Sequence, residues 1–156
     1  MSQATPGTAA QAGPSGADRQ RETIEGRREG PGIWKVLGLT LETSEPGRAT
    51  LTACPGPELE NPGGGVHGGF YGTFLDSCMA SAVSSTLPAG RGSTTLEYKI
   101  NIIRPIRAGT RVRAIGVAHH VGRSTGIASG EIRGIEDDAL YATGSTTCMV
   151  FDRRGD

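Results

Sequence analysis

The chain has 156 residues, enough for one domain, and its 16 basic and 16 acidic residues cancel, so the overall charge carries no footprint of a nucleic-acid binder. It holds no run of about 18 apolar residues and no apolar leader core near its N-terminus, so neither a membrane partner nor export is expected. Three cysteines, Cys54, Cys78 and Cys148, lack CxxC spacing; they exclude a disulfide framework and a zinc site and suit a reducing, cytoplasmic location.

Residues 1–32 contain one large aliphatic side chain, Ile24, and cannot bury enough apolar surface to offset their ordering entropy. They are expected to form a disordered or loosely attached tail, leaving 33–152 as the folded domain. Residues 33–43 and 47–54 predict a hairpin about the turn Ser44-Glu45-Pro46-Gly47, with room for a short helical turn at 33–37. Residues 55–66 are too rich in glycine and proline for either element. Over 68–86 the apolar residues Phe70, Phe74, Leu75, Cys78, Met79, Ala82 and Val83 recur at helical spacing, and Pro88 stops the run. Four strands follow, at 93–103, 110–121, 124–134 and 139–151, joined by short turns. The class is α+β: an antiparallel sheet of about six strands, wrapped around one long central helix whose apolar residues lie on more than one side.

The chemistry gathers before that helix, in Asn61-Pro62-Gly63-Gly64-Gly65-Val66-His67-Gly68-Gly69, with Asp76 nine residues after His67. Gly63, Gly65 and Gly68 formally satisfy GxGxxG, but no strand precedes them and no βαβ unit follows, so a dinucleotide site is excluded. No Lys-Ser/Thr follows either, which excludes a phosphate-binding P-loop. A glycine-rich loop feeding a helix N-terminus offers free amides to an oxyanion or a polarised carbonyl. Asp76 lies among core-forming residues, where an acid is costly unless paired or functional. Taken singly, each feature has a plain structural reading: a connecting loop, a surface acid, a histidine fixing a first turn.

Taken together, Asn61, His67-Gly68-Gly69 and Asp76 on the one long helix resemble the hotdog-fold acyl-CoA thioesterases, most of all the phenylacetate-degradation PaaI-type branch, over about residues 33–151. The resemblance implies that the Gly68 amide binds the thioester carbonyl and that Asn61 helps place the carbonyl or a water. It makes Asp76 the nucleophile or the general base. It puts a water-orienting hydroxyl at Thr95, with Thr94 as the fallback, and gives His67 the task of fixing the loop. Val66 and Gly69 would flank the substrate. The turn Gly122-Arg123-Ser124 would lie near CoA, which is part of the substrate rather than a cofactor; no metal is implied. Between 91 and 123 seven basic residues face one acid, Glu97. Arg123 is the first choice for CoA contact, and Arg104, Arg111 and Arg113 are weaker ones, since a solvated strand face gives the same pattern.

Geometry adds one inference. Eight positions separate Gly68 from Asp76, about 12 Å along a helix, so both cannot serve one carbonyl from the same chain. The two must come from facing subunits of a homodimer with two equivalent sites; the resemblance extends this to a homotetramer. The acyl group stays open between aryl and medium-chain: Phe70, Tyr71, Phe74 and Met79 could line an apolar pocket or be plain core. Two other functions compete, a hotdog dehydratase or hydratase and a non-catalytic acyl-CoA-binding sensing module. The retained Asp76 argues for hydrolysis.

Overall fold

The computed structural model describes residues 13–153. Its centre is a helix of 17 residues, Gly68–Ser84, lying across one face of a six-stranded antiparallel sheet. The elements in chain order are α1 (Gly16–Ile24), α2 (Gly32–Leu37), β1 (Thr40–Glu45), β2 (Arg48–Ala53), a single 3-10 turn (Pro57–Leu59), α3 (Gly68–Ser84), β3 (Arg91–Ile102), β4 (Val112–Val121), β5 (Thr125–Gly134) and β6 (Leu140–Asp152). The strand order is β1-β2-β4-β5-β6-β3, so β1 and β3 are the edges. Among the described residues this is the expected hotdog architecture.

The helix is apolar on several sides because the sheet curls around it. Phe74, Leu75, Cys78, Met79, Ala82 and Val83 are fully buried. Alternation along the strands sends Leu51, Val112, Ala114, Ile132, Ala142 and Cys148 to the same core. Close approach depends on glycine: a Cβ on Gly116 of β4 would sit 2.3 Å from the Cys78 carbonyl oxygen. One on Gly130 of β5 would sit 2.9 Å from the Met79 side chain. The sequence shows these residues only as low hydrophobicity; in the fold they set the distance between helix and sheet.

One expectation is met and one needs correction. The helical turn allowed for at 33–37 is α2, closed by Gly38 at φ 66, so the first strand of the hairpin is only its second half, β1, from Thr40. The tail is not loose throughout. Its residues 1–12 lie outside the described residues, but 16–24 form a capped and docked helix. Ser15 and Asp18 make a capping box, each side chain accepting the other's backbone N–H at 3.1 Å. The Gly16 N–H donates to the Leu87 carbonyl at 2.9 Å, and the buried Gln20 amide donates to the Ser81 carbonyl at 2.8 Å. Ser44 donates to the other end of the same Gln20 side chain. The docking runs through backbone carbonyls and one amide, so no hydrophobic pattern announces it.

Candidate functional site

The loop before α3 is held from three directions. Asn61 Oδ1 accepts the Gly63 N–H at 2.8 Å, and the Asn61 N–H donates to the Gly65 carbonyl at 2.7 Å, closing the glycine turn. Arg107 donates to the Gly64 carbonyl at 2.8 Å. Val66 is buried, and its N–H donates to the Ile106 carbonyl at 2.9 Å. The Tyr71 hydroxyl accepts the Ile106 N–H at 2.6 Å, tying the same strap to α3.

At the mouth of this loop His67 caps α3, and its Nδ1 accepts the Gly69 N–H at 2.9 Å. Gly69 is thereby occupied. The Gly68 N–H makes no hydrogen bond among the described residues and is left at the positive end of the helix. His67 thus fixes the first turn of α3, and the Gly68 donor stays open.

Two turns further along α3, Asp76 is half-buried, and Thr95 Oγ1 donates to its Oδ1 at 2.7 Å. Thr95 pairs with the buried Cys148, so strand alternation turns it to the helix side, just before a bulge between Thr95 and Glu97. Thr94, the fallback hydroxyl, pairs with Met149, is exposed and makes no side-chain hydrogen bond to Asp76. Nearby thiols offer no rival nucleophile. Cys78 is fully buried, and burial pushes its thiol far above the ordinary range; burial raises Cys148 as well.

Within one chain the expected residues fall into three separate groups. Asn61, Val66, His67, Gly68 and Gly69 gather at the N-terminus of α3, and Asp76 meets Thr95 at its middle. Gly122-Arg123-Ser124 forms the β4–β5 turn, where the Gly122 N–H donates to the Thr125 carbonyl at 2.8 Å. A cavity there is lined by Gly122, His120, Arg91 and the 86–88 segment after α3. The basic run is mostly engaged: Arg111 pairs with Glu136 at 2.6 Å, Arg113 pairs with Asp138, and Arg104 lies 5.7 Å from the centre of the Tyr141 ring. Arg111 and Arg113 are therefore the solvated strand face. Phe70, Tyr71, Phe74 and Met79 are at most 3 % exposed, which makes them core rather than pocket walls. Sequence reasoning missed the Trp34 indole, which donates to Ser77 Oγ at 2.9 Å beside Asp76, and the cleft that α1 roofs there. Neither carries a motif.

The Thioesterase superfamily matches residues 63–140, which include the loop end, α3, strands β3 to β5 and the first residue of β6. The conserved protein PA5202 of Pseudomonas aeruginosa is 32 % identical, with a TM-score of 0.72 over 78 % of this chain and 94 % of that one. A phenylacetic acid degradation-related protein of Ralstonia eutropha is 28 % identical, with a TM-score of 0.76 over 84 % of this chain and 98 % of that one. The phenylacetic acid degradation protein PaaI of Thermus thermophilus, in a mutant form, is 26 % identical, with a TM-score of 0.69 over 76 % of this chain and 98 % of that one. The chain belongs to the hotdog-fold Thioesterase superfamily, within its PaaI-like family, and hydrolysis of the acyl-CoA thioester type is the general activity that this membership supports.

Proposed function

We propose that the protein is an acyl-CoA thioesterase that releases a medium-chain or aryl acid and free CoA, with each site built from two protomers of a cytoplasmic homodimer that pairs further into a homotetramer. The observation that carries the reading is the course of β3. Its Thr95 end touches Asp76, and near its other end Ile102 Cδ1 lies 3.6 Å from where a Gly68 Cβ would be. β3 is an edge strand with Leu96, Tyr98, Ile102 and Ile103 between 47 % and 60 % exposed or just beyond its end, an apolar border that calls for cover. Antiparallel pairing of two such edges about Tyr98 and Lys99 would set one protomer's Thr95 end against the other's Ile102 end. Asp76 of one protomer would then face Gly68 of the other.

In that arrangement the Gly68 N–H has no competing acceptor and donates to the thioester carbonyl oxygen as it gains charge, worth about 3 kcal/mol for one well-aimed donor. The Asn61 side chain, anchored through its oxygen, keeps its NH2 for the carbonyl or the water. Asp76, oriented by Thr95, takes a proton from water as the water oxygen bonds to the carbonyl carbon. Collapse of the adduct breaks the C–S bond, and the proton passes from Asp76 to the CoA sulfur. Direct attack by Asp76 through an anhydride uses the same positions. Arg123, Gly122 and Ser124 are assigned to the CoA moiety, with Val66 and Gly69 beside the thioester. The test is thiol release from short, medium, long and aryl acyl-CoA esters, wild type beside Asp76→Ala. Turnover abolished in the variant supports the reading. CoA esters bound but never turned over would make the chain a sensing module, and water added to an enoyl-CoA would make it a hydratase.

A further inference from the structure

α1, the 28–34 segment and the start of β3 meet over the one side of α3 that the sheet leaves open. They enclose a cleft of about 580 Å³ whose floor is a single stripe of α3 from Asp76 through Ala80 to Ser84. The stripe is eight residues, about 12 Å, long. Its two ends differ. At the Asp76 end the wall is the Trp34 indole, fixed to Ser77. At the Ser84 end stand Arg19 and Arg153, which together with Ser84 and Ser93 also line an adjoining hollow.

Two guanidinium groups at one end of a cleft repel each other, and a third, Arg28, lines the same wall. Burial, then Arg153 and Arg28, hold the Arg19 guanidinium below its ordinary basicity. The nearby acids relieve the pair only in part, Asp18 being the one whose charge reaches Arg19. Asp18 is taken by Ser15 and Arg21, Arg28 has Glu22 at 3.9 Å, and Glu29 lines the cleft without an ion pair among the described residues. Among the described residues the Arg19 side chain donates to the Pro14 and Arg91 carbonyls, at 2.6 and 3.4 Å. Arg153 has no carboxylate within ion-pair reach among the described residues. Trp34, Ile33 and Leu41 beside Asp76, a narrow floor of Ala80 among serines, and a cationic end about 12 Å away with no ion pair among the described residues suit a slender chain that is anionic at its tip.

We infer that this cleft is the acyl site, and that Arg19 and Arg153 select acyl chains ending in a carboxylate, namely the mono-CoA thioesters of medium-chain dicarboxylic acids. The inference rests on Asp76 acting at the thioester. An extended eight-carbon chain spans about 9 Å between its end carbons, and a charged hydrogen bond adds about 3 Å, which matches the stripe. The same chemistry could be met by a CoA phosphate, and the test separates the two.

The full chain is assayed with octanedioyl-CoA and octanoyl-CoA, and with the corresponding pantetheine thioesters, as wild type, Arg19→Gln and Arg153→Gln. Thermal shift with free octanedioate and octanoate runs in parallel. Wild type should favour the octanedioyl ester by about tenfold or more in kcat/KM, and each variant should lower that ratio about tenfold, on CoA and pantetheine alike. Octanedioate should raise the Tm of wild type and not of Arg153→Gln. Arg153 makes no side-chain hydrogen bond or ion pair among the described residues, so that variant decides if Arg19→Gln loosens α1. A ratio near one in wild type, or a loss shared by both CoA esters that disappears with pantetheine esters, overturns the inference and puts the arginines on CoA. Octanedioate binding lost in Arg153→Gln without turnover of any ester keeps the anion site and rejects the thioesterase reading. Turnover of octanoyl-CoA with no octanedioate preference or shift does the reverse.

Discussion

Thr95 Oγ1 donates to Asp76 Oδ1 at 2.7 Å, from a bulge in an edge strand to the middle of the central helix. The bond uses one carboxylate oxygen and leaves the other for chemistry. Thr95→Val should therefore lower kcat by roughly ten- to a hundredfold with KM little changed, since orientation of a catalytic base is worth one to two powers of ten. Thr94→Val, whose side chain faces away, should stay within about twofold of wild type in the same assay. Equal losses in both would place the orienting hydroxyl elsewhere.

Helix and sheet meet through glycine at Gly116, where a Cβ would lie 2.3 Å from a backbone oxygen. Backbone cannot rotate aside, so Gly116→Ala should destabilise by about 1–3 kcal/mol, the usual cost of overpacking a core. Thermal or urea unfolding measures it. An unchanged midpoint would mean that the helix sits further from β4.

Docking of α1 has its own signature. A Cβ on Gly16 would sit 1.7 Å from the Ser84 carbonyl oxygen, so Gly16→Val should release the helix while the sheet stays folded. Limited trypsin digestion would then cut at Arg19, Arg21, Arg27 and Arg28 several-fold faster than in wild type, with the remainder intact. Protection equal to wild type would contradict the docked arrangement.

The thiols divide by burial. Cys54 is exposed, whereas Cys78 and Cys148 are buried. Alkylation of the native protein should label Cys54 alone, and denaturant should expose the other two; mass spectrometry counts the labels. Burial raises the Cys78 thiol above its ordinary value of 9.0, so the folded state keeps a proton that the unfolded state loses. The contribution is full below pH 9 and declines as pH rises beyond it. Cys78→Ala should flatten that alkaline decline. Label on native Cys78, or an unaltered alkaline limb, would reject the assignment.

How much of this the sequence shows depends on the kind of contact. Helical spacing from Phe70 to Val83 and alternation in the last four strands are strong because a core enforces them, and the fold follows from them. The glycine loop, His67 and Asp76 are legible because each residue type is unusual for its place. The helix at 16–24 is not, since Gly16 and Gln20 dock it through carbonyls that no hydrophobic pattern records. The choice of Thr95 over Thr94 rests on which face of β3 meets the helix: Thr95 pairs with the buried Cys148 and Thr94 with the exposed Met149, and the one-residue ambiguity of the preceding loop hides that phase in the sequence. The arginine end of the cleft joins residues 19 and 153, from opposite ends of the chain, and only folding brings them together.

The central claim is that one active site takes Gly68 from one protomer and Asp76 from its partner. Proline is accepted at the first position of a helix, and His67, at φ −61 and ψ 143, is already in the conformation that precedes proline. Gly68→Pro thus removes the N–H and spares the helix. The decisive measurement mixes and re-equilibrates two separately inactive proteins, Asp76→Ala and Gly68→Pro, and follows thioester hydrolysis. Each mixed dimer would hold one site with both groups intact, and random exchange would restore about a quarter of wild-type activity. A mixture that exchanges subunits and stays inactive would contradict the shared site.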